Sequence, residues 1–420
     1  IDKFKEDKMG NRPLEGIRVV EMATFIAAPC TARFLADLGA EVIKVEPPMG
    51  DPLRYTAVNE GRPLDQKENT SYDLENAGKT CISLNTKSEE GREALEKLLA
   101  TADVFICNWR QSPLKRAGLD WETLHEKYPK LVYGYVSGYG EKGPDKDLPG
   151  FDFTAFYARG GILGPLRDKN SLPMLTVQGF GDHQVAMNLA AGVLAALFKA
   201  KMTGEGDHVV VSLFHSAIWD ISLMLQASQY GADSTQYPME RWKLGNPLVL
   251  CYETADGQWL QIAMPQYDRH YPILMNAMGY PELADDARYY PQKNLIPNRE
   301  EFSAWITAEF KKKTCDEWCK LLDANDLPYA IAQEWDSLLE DKQAWASDCF
   351  YEMSYSNGNK RTLVRPPVLF DQMGLPPYER GPYLGEQTKD ILGELGYSAE
   401  AIDELIKSGA AIDMDPALRD

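Results

Sequence analysis

The chain has 420 residues, with 44 Lys and Arg against 63 Asp and Glu, and a formal net charge of −19. That excess of acid excludes a protein that holds nucleic acid or anionic lipid by bulk charge. A composition of 44% hydrophobic, 10% aromatic and 25% charged residues excludes a disordered chain, and the length suits two or three domains.

The charged residues 1–8 lack the apolar core of a signal peptide and read as a leader before a fold that starts at Leu14. Residues 17–22 predict a strand, Pro29 a helix that ends at Gly39, and residues 41–46 a second strand stopped by Pro47-Pro48, which makes one βαβ unit. The alternation continues with strands at 81–84, 104–107 and 131–136 and helices at 89–99 and 119–127. A long helix over 182–202 ends at Gly204, and a strand follows at 209–213. Repeated alternation of this kind predicts an α/β fold, a parallel sheet covered by helices on both faces. From about Gln226 the texture changes to a hairpin around Asp256-Gly257 and helices near 271–278, 300–310 and 315–322, a smaller α+β domain. A second hairpin turning at Asn357-Gly358 and a helix near 388–395 complete the predicted elements.

The longest apolar run, 189–198, is broken by Gly192 and is shorter than the roughly 20 residues of a membrane span, so no membrane segment is expected. Seven cysteines without a CxxC pair predict a reducing cytoplasm. Cys315 and Cys319 have no histidine near them, so they read as buried apolar residues and no metal site is expected.

Gly138-Tyr139-Gly140-Glu141-Lys142-Gly143 follows a strand as a formal GxGxxG, but Pro144 and a polar turn come next. A dinucleotide fingerprint needs a helix at that point, so the segment reads as a glycine loop at a ligand site. Asp182, in Gly179-Phe180-Gly181-Asp182-His183, reads most simply as the N-cap of the long helix. The same position lets a carboxylate beside two glycines attack an activated acyl group. His183 reads as a first-turn residue open to solvent. Lys79, Arg110, Lys115 and Arg116 fall near strand ends and together suggest a phosphate-bearing ligand such as a nucleotide or coenzyme A.

Pro13-Leu14-Glu15-Gly16-Ile17-Arg18-Val19-Val20-Glu21, Ala28-Pro29-Cys30, Leu38-Gly39-Ala40-Glu41-Val42-Ile43-Lys44-Val45-Glu46-Pro47 and Gly50-Asp51-Pro52-Leu53-Arg54 resemble the opening of the class III coenzyme A transferases. The resemblance continues through Asn108-Trp109-Arg110, Gly138-Tyr139-Gly140 and Gly181-Asp182 to Leu384-Gly385-Glu386-Gln387-Thr388, nearly the whole chain. Tyr72-Asp73-Leu74-Glu75-Asn76-Ala77 and Pro149-Gly150-Phe151-Asp152 most resemble the branch acting on 2-hydroxy acids.

The resemblance implies a Rossmann-like large domain built from both chain ends, with a small domain inserted: 12–225, then 226–330 as the small domain, then 331–420 returning to the large one. It implies an obligate, interlocked homodimer that works on acyl-CoA and a carboxylic acid with no permanently bound cofactor. It also implies that Asp182 attacks the donor thioester to give a mixed anhydride, then an aspartyl-CoA thioester that the acceptor acid opens. Glu141 would orient the site, and amides of the 138–143 loop would stabilise oxyanions. Coenzyme A contacts are implied at Ile26, Ala27, Lys79, Leu84, Asn108, Trp109, Arg110, Arg116, Gly138 and Tyr139. Ile26 stands where the formyl-CoA branch has glutamine, Pro47 where it has arginine and Ser137 where it has lysine, which argues against oxalate or formate chemistry, and the apolar Ile26 suits a bulkier, greasier acyl group. The α-methylacyl-CoA racemases share the fold and are the alternative, but they pair the aspartate with a histidine whose place is taken here by Phe151, which cannot carry a proton. A non-catalytic coenzyme A-binding protein is a further alternative, disfavoured by the intact Asp182.

Overall fold

A computed structural model describes residues 12–231, 237–374, 376 and 378–419, so the leader expected at 1–8 lies outside the described residues. The chain divides into two compact units, one of residues 1–162, 176–222 and 343–420, the other of 163–175 and 223–342.

The larger unit is built on a seven-stranded sheet. Its strands are β1 (Arg18–Met22), β2 (Glu41–Glu46), β3 (Thr80–Leu84), β4 (Val104–Cys107), β5 (Val132–Ser137), β6 (His208–Ser212) and, at the far end of the chain, β12 (Ala411–Ile412). The order is β12-β3-β2-β1-β4-β5-β6, parallel throughout except for β12, which runs antiparallel to β3. Strands β1 to β4 are almost wholly buried, as a sheet covered on both faces requires, and β4 is apolar throughout. Strand order reverses at β1 and β4, where open α/β sheets leave a crevice at the carboxyl ends of their strands.

The long helix Phe180–Thr203 is apolar and long enough, by composition alone, to cross a membrane. Its buried residues Val185, Ala186, Leu189, Ala190 and Val193 pack it against the helix Ala27–Asp37 and strand β5, which makes it the core helix of this layer.

Three differences from the sequence reading have local causes. Leu213 opens a helix, Leu213–Asp220, rather than ending a strand, because Ser212 Oγ accepts from His215 N at 3.1 Å and caps it. A further helix, Gln111–Ala117, follows β4. The C-terminal segment adds the helix Ala399–Ser408 and β12, a two-residue strand too short to show a period. That segment covers the β3 edge: Cys81 N donates to Gln387 Oε1 at 2.8 Å and Ser83 N to Thr388 Oγ1 at 3.1 Å.

Charged side chains lie inside the layer between the sheet and its first helix. Lys44 Nζ is 2.7 Å from Glu21 Oε1 and 3.0 Å from Asp51 Oδ2, and Lys79 Nζ is 2.7 Å from Glu21 Oε2. Lys79 also donates to the Pro29 carbonyl at 2.8 Å and to Asn76 Oδ1 at 2.9 Å. Beside them Arg54 makes a two-point contact with Glu46 at 2.9 and 2.8 Å, and Tyr72 donates to the same carboxylate at 2.7 Å.

The smaller unit holds the antiparallel sheet of β7 (Cys251–Glu253), β8 (Trp259–Ile262) and β9 (Tyr329–Ile331). Because β9 closes this sheet, the unit extends to Lys342, beyond the expected boundary at 330, and it includes residues 163–175. Tyr252, Phe310 and Trp318 stack at its centre with ring centroids 4.6 and 4.5 Å apart. Cys315 is buried in this core and Cys319 packs against it. The remaining hairpin, β10 (Phe350–Ser354) and β11 (Lys360–Val364), belongs to the larger unit and docks on the helix Thr70–Asn76, where Tyr355 donates to Asp73 Oδ2 at 2.7 Å.

Candidate active site

Asp182 is in the first turn of the long helix, but it is not the N-cap. The helix starts two residues earlier, with Gly179 as N-cap in the left-handed region at φ 82° and His183 N donating to the Gly179 carbonyl at 2.9 Å. The capping acceptor comes from a distant segment: Gly181 N donates to Asp152 Oδ1 at 3.1 Å. Among the described residues no hydrogen bond is made to the Asp182 carboxylate, which sits partly buried at the positive end of a 24-residue helix. Gly181 admits no side chain, because a Cβ would lie 2.3 Å from Phe156 and 2.4 Å from Asp152 Oδ1.

Three carboxyl groups and one imidazole share this turn. Glu75 is buried, and His183 Nε2 lies 2.8 Å from its Oε1. Burial, then the charges of Asp152 and Glu75, push Asp182 up to about 7, with His183 opposing them. Burial likewise raises Asp152 to about 6 against the amides of Gly181 and Gly179. The Cys30 thiol joins Glu75 and His183 with all three ligand-type atoms within 4.8 Å of one another. The 2.8 Å contact between Glu75 and His183 is a hydrogen bond, shorter than the roughly 3.3 Å between two ligands of a tetrahedral ion at about 2 Å each. Burial and Glu75 also keep the Cys30 thiol protonated.

A stability test follows from these shifts. Folded Asp182 holds its proton between its ordinary pKa of 3.8 and about 7, where the unfolded chain has lost it, so this group lowers stability as pH rises through that window. Asp182→Asn is expected to raise stability by about 2 kcal/mol at pH 8, reduced from the full shift by water at the open face, and by less at pH 5. Denaturant midpoints at the two pH values measure it, and an equal effect at both refutes the shift.

The other expected site residues fall into three groups. Ile26 and Ala27 are buried at the C-terminal end of β1, and Ile26 Cδ1 would lie 3.3 Å from a Cβ at Gly179, so Ile26 borders the Asp182 turn. Asn108 ties β4 to β1 at the strand reversal, accepting from Thr24 N at 3.1 Å and donating to the Thr24 carbonyl at 2.9 Å. Trp109 is half-buried against the core beside it. Gly138 and Gly150 approach so closely that a Cβ on Gly138 would lie 2.6 Å from the Gly150 Cα, which brings the glycine loop against the segment leading to Asp152. Tyr139 is half-buried, its ring 6.2 Å from that of Phe214. Arg110, Lys115 and Arg116 are exposed on or beside the helix Gln111–Ala117, open to an anionic ligand.

Lys79 and Leu84 differ from the expectation. Lys79 is enclosed by Glu21, Asn76 and the Pro29 carbonyl, and Leu84 is 1% exposed beneath β12, so both side chains build the scaffold. Glu141 binds Gln111 Nε2 at 2.7 Å and lies 3.6 Å from His208, and it is not among the charges acting on Asp182. Glu75 and Asp152 are the groups that sequence reasoning did not single out for this site. Both lay within the branch-like motifs, but nothing local shows that residues 30 and 107 positions before Asp182 come to the same helix turn.

The fold and this turn define an α/β protein with a strand reversal in its sheet, exposed cations beside it and, at a helix start, a carboxylate with no hydrogen bond among the described residues. The chain belongs to CoA-transferase family III, whose profile matches residues 14–388, and it is a CoA-transferase. It is 52% identical over 393 residues to a cinnamoyl-CoA:phenyllactate CoA-transferase of Clostridium sporogenes, covering 93% of this chain and 95% of that protein. It is 41% identical to an (R)-2-hydroxy-4-methylpentanoate CoA-transferase of Clostridioides difficile, covering 93% and 97%. Among solved structures, a CAIB/BAIF family protein from Brucella suis superposes with a TM-score of 0.77 at 28% identity, covering 92% of this chain and all of that one.

Proposed function

We propose that the protein moves coenzyme A reversibly from an acyl-CoA thioester to an aryl 2-hydroxy acid such as phenyllactate, with Asp182 as the nucleophile. One observation carries the reading: Asp152 caps the long helix, so the Asp182 carboxylate is left without a structural bond at the sheet's ligand end. Its raised pKa marks a basic carboxylate, a better nucleophile than an ion-paired one. Attack on the donor gives the aspartyl anhydride and coenzyme A thiolate. The thiolate then takes the aspartyl carbonyl and releases the donor acid, and the acceptor acid reverses both steps. Every step exchanges one activated carbonyl for another, so no ATP is consumed.

The aryl preference is supported by rings around the turn. Phe25 and Phe151 meet edge-on with centroids 6.4 Å apart, both exposed, and Phe180 is 62% exposed next to Gly181. Phe25 holds a positive φ of 61°, unusual for a bulky residue, and its amide is fixed by Asp51 Oδ1 at 3.1 Å. Phe151→Ala is expected to lower kcat/KM about tenfold for phenyllactate and little for lactate, and equal losses for the two acids refute an aryl contact.

Loading the enzyme with acyl-CoA in the presence of hydroxylamine tests the nucleophile. Mass spectrometry is expected to find the hydroxamate on Asp182, and label on any other residue overturns the assignment. Transfer that proceeds without an acceptor acid, as inversion at the α-carbon, would point to a racemase instead. The family resemblance also leads us to propose a homodimer, for which sedimentation is the measurement.

A further inference from the structure

The geometry points to His183 as the cation that holds the substrate carboxylate beside Asp182, with Glu75 as the residue that positions it. This rests on Asp182 being the nucleophile. In the transfer cycle one negative charge moves through the reaction centre, leaving with the donor acid and re-entering with the acceptor. It begins on the Asp182 carboxylate, passes to the thiolate when the anhydride forms, and passes to the released acid when the aspartyl thioester forms. The acceptor carboxylate then brings it back, and it returns through thiolate to Asp182. No proton is gained or lost in any step, so the site needs a fixed positive charge rather than an acid or a base.

That charge is scarce here. Of the groups acting on Asp182, two are carboxyls, Asp152 and Glu75, and His183 is the one able to be positive. Lys79, the cation behind Glu75, is already enclosed by Glu21, Asn76 and the Pro29 carbonyl. A substrate carboxylate entering between Asp152 and Glu75 would meet two like charges unless His183 offset them.

His183 is built for this position. Its Nε2 is held at 2.8 Å by Glu75, whose side chain is 3% exposed, so the ring cannot swing away without stranding a buried carboxylate. The imidazole itself is 45% exposed, and with Nε2 committed, Nδ1 is the nitrogen left for a ligand. Its Cε1 would lie 3.6 Å from a Cβ at Gly179, a position that a larger residue could not occupy without crowding the ring and Ile26. Burial alone would discharge the ring, but Glu75, Asp182 and Asp152 together favour the imidazolium.

The test uses the full-length enzyme with an acyl-CoA donor and phenyllactate. His183→Gln, which keeps a donor toward Glu75 but removes the charge, is expected to raise KM for the acid about 10- to 100-fold while KM for acyl-CoA stays within about twofold. His183→Lys, which returns a charge, should recover most of the loss, and Glu75→Gln should move the acid KM in the same direction. Melting curves check that each variant is folded. Hydroxylamine label still appearing on Asp182 in His183→Gln separates the two ideas, because the nucleophile then stands whatever His183 does. An unchanged acid KM in folded His183→Gln, or a Lys variant as impaired as the Gln variant, overturns the role of His183.

Discussion

Asp182→Ala is expected to lower transfer at least about 10⁴-fold while leaving acyl-CoA binding within a few-fold of the parent. The size of the effect follows from the proposed route, in which the carboxylate forms both the anhydride and the aspartyl thioester and the remaining groups at the turn offer no second nucleophile. The Cys30 thiol is kept protonated by burial and by Glu75, and Glu75 is itself bound to His183. Binding should persist because the residues at the strand reversal, Ile26, Asn108 and the exposed Arg110 and Arg116, do not depend on the Asp182 side chain. Fold should persist because Asp152, not Asp182, accepts from the helix amide. Transfer at a tenth of the parent rate or more in the alanine variant would remove Asp182 from the chemistry.

The second large effect concerns stability. Glu21→Gln is expected to destabilise the protein by about 3–5 kcal/mol, the range for breaking a buried ion pair on one side. Glu21 is fully buried between Lys44 and Lys79, with both lysine side chains fully enclosed. Burial by itself would raise the glutamate pKa, but the two lysines outweigh it and hold it below the usual range. The amide would leave Lys79 with only a carbonyl and an amide oxygen for its charge, and burial already pushes that lysine down to about 8. The carboxylate's contribution is complete above the ordinary glutamate pKa of 4.5 and is lost only as pH falls through its lower folded value, so the deficit is fully present at pH 7. A denaturant midpoint with unchanged slope measures it, and a loss below 1 kcal/mol refutes the role assigned to the network.

This network also joins scaffold to site. Lys44 binds Asp51, Asp51 fixes the Phe25 amide, and Lys79 binds the Pro29 carbonyl, so the segment leading into Ile26 is anchored from within the core. Glu21→Gln is therefore expected to weaken substrate binding as well as stability, even though Glu21 lies beneath the surface.

The sequence by itself determined the six parallel strands of the large sheet, the helix that carries Asp182 and the family, because buried parallel strands and long helices are written in short-range pattern and the family motifs are local words in fixed order. Ile26 and Asn108, implied as coenzyme A contacts, follow β1 and β4, the two strands at the reversal. Only the tertiary structure decided what the charged residues do. A basic residue near a strand end reads the same whether it faces solvent, as Arg110 and Arg116 do, or is enclosed, as Lys79 is, since exposure depends on what packs over it. The same holds for Asp182: its carboxylate is left without a capping bond because Asp152, 30 residues away, takes it, and Glu75 holds His183 beside it. Local pattern reports which groups are present, whereas the partner that neutralises, caps or strands each group is a long-range contact, and that contact sets its chemistry.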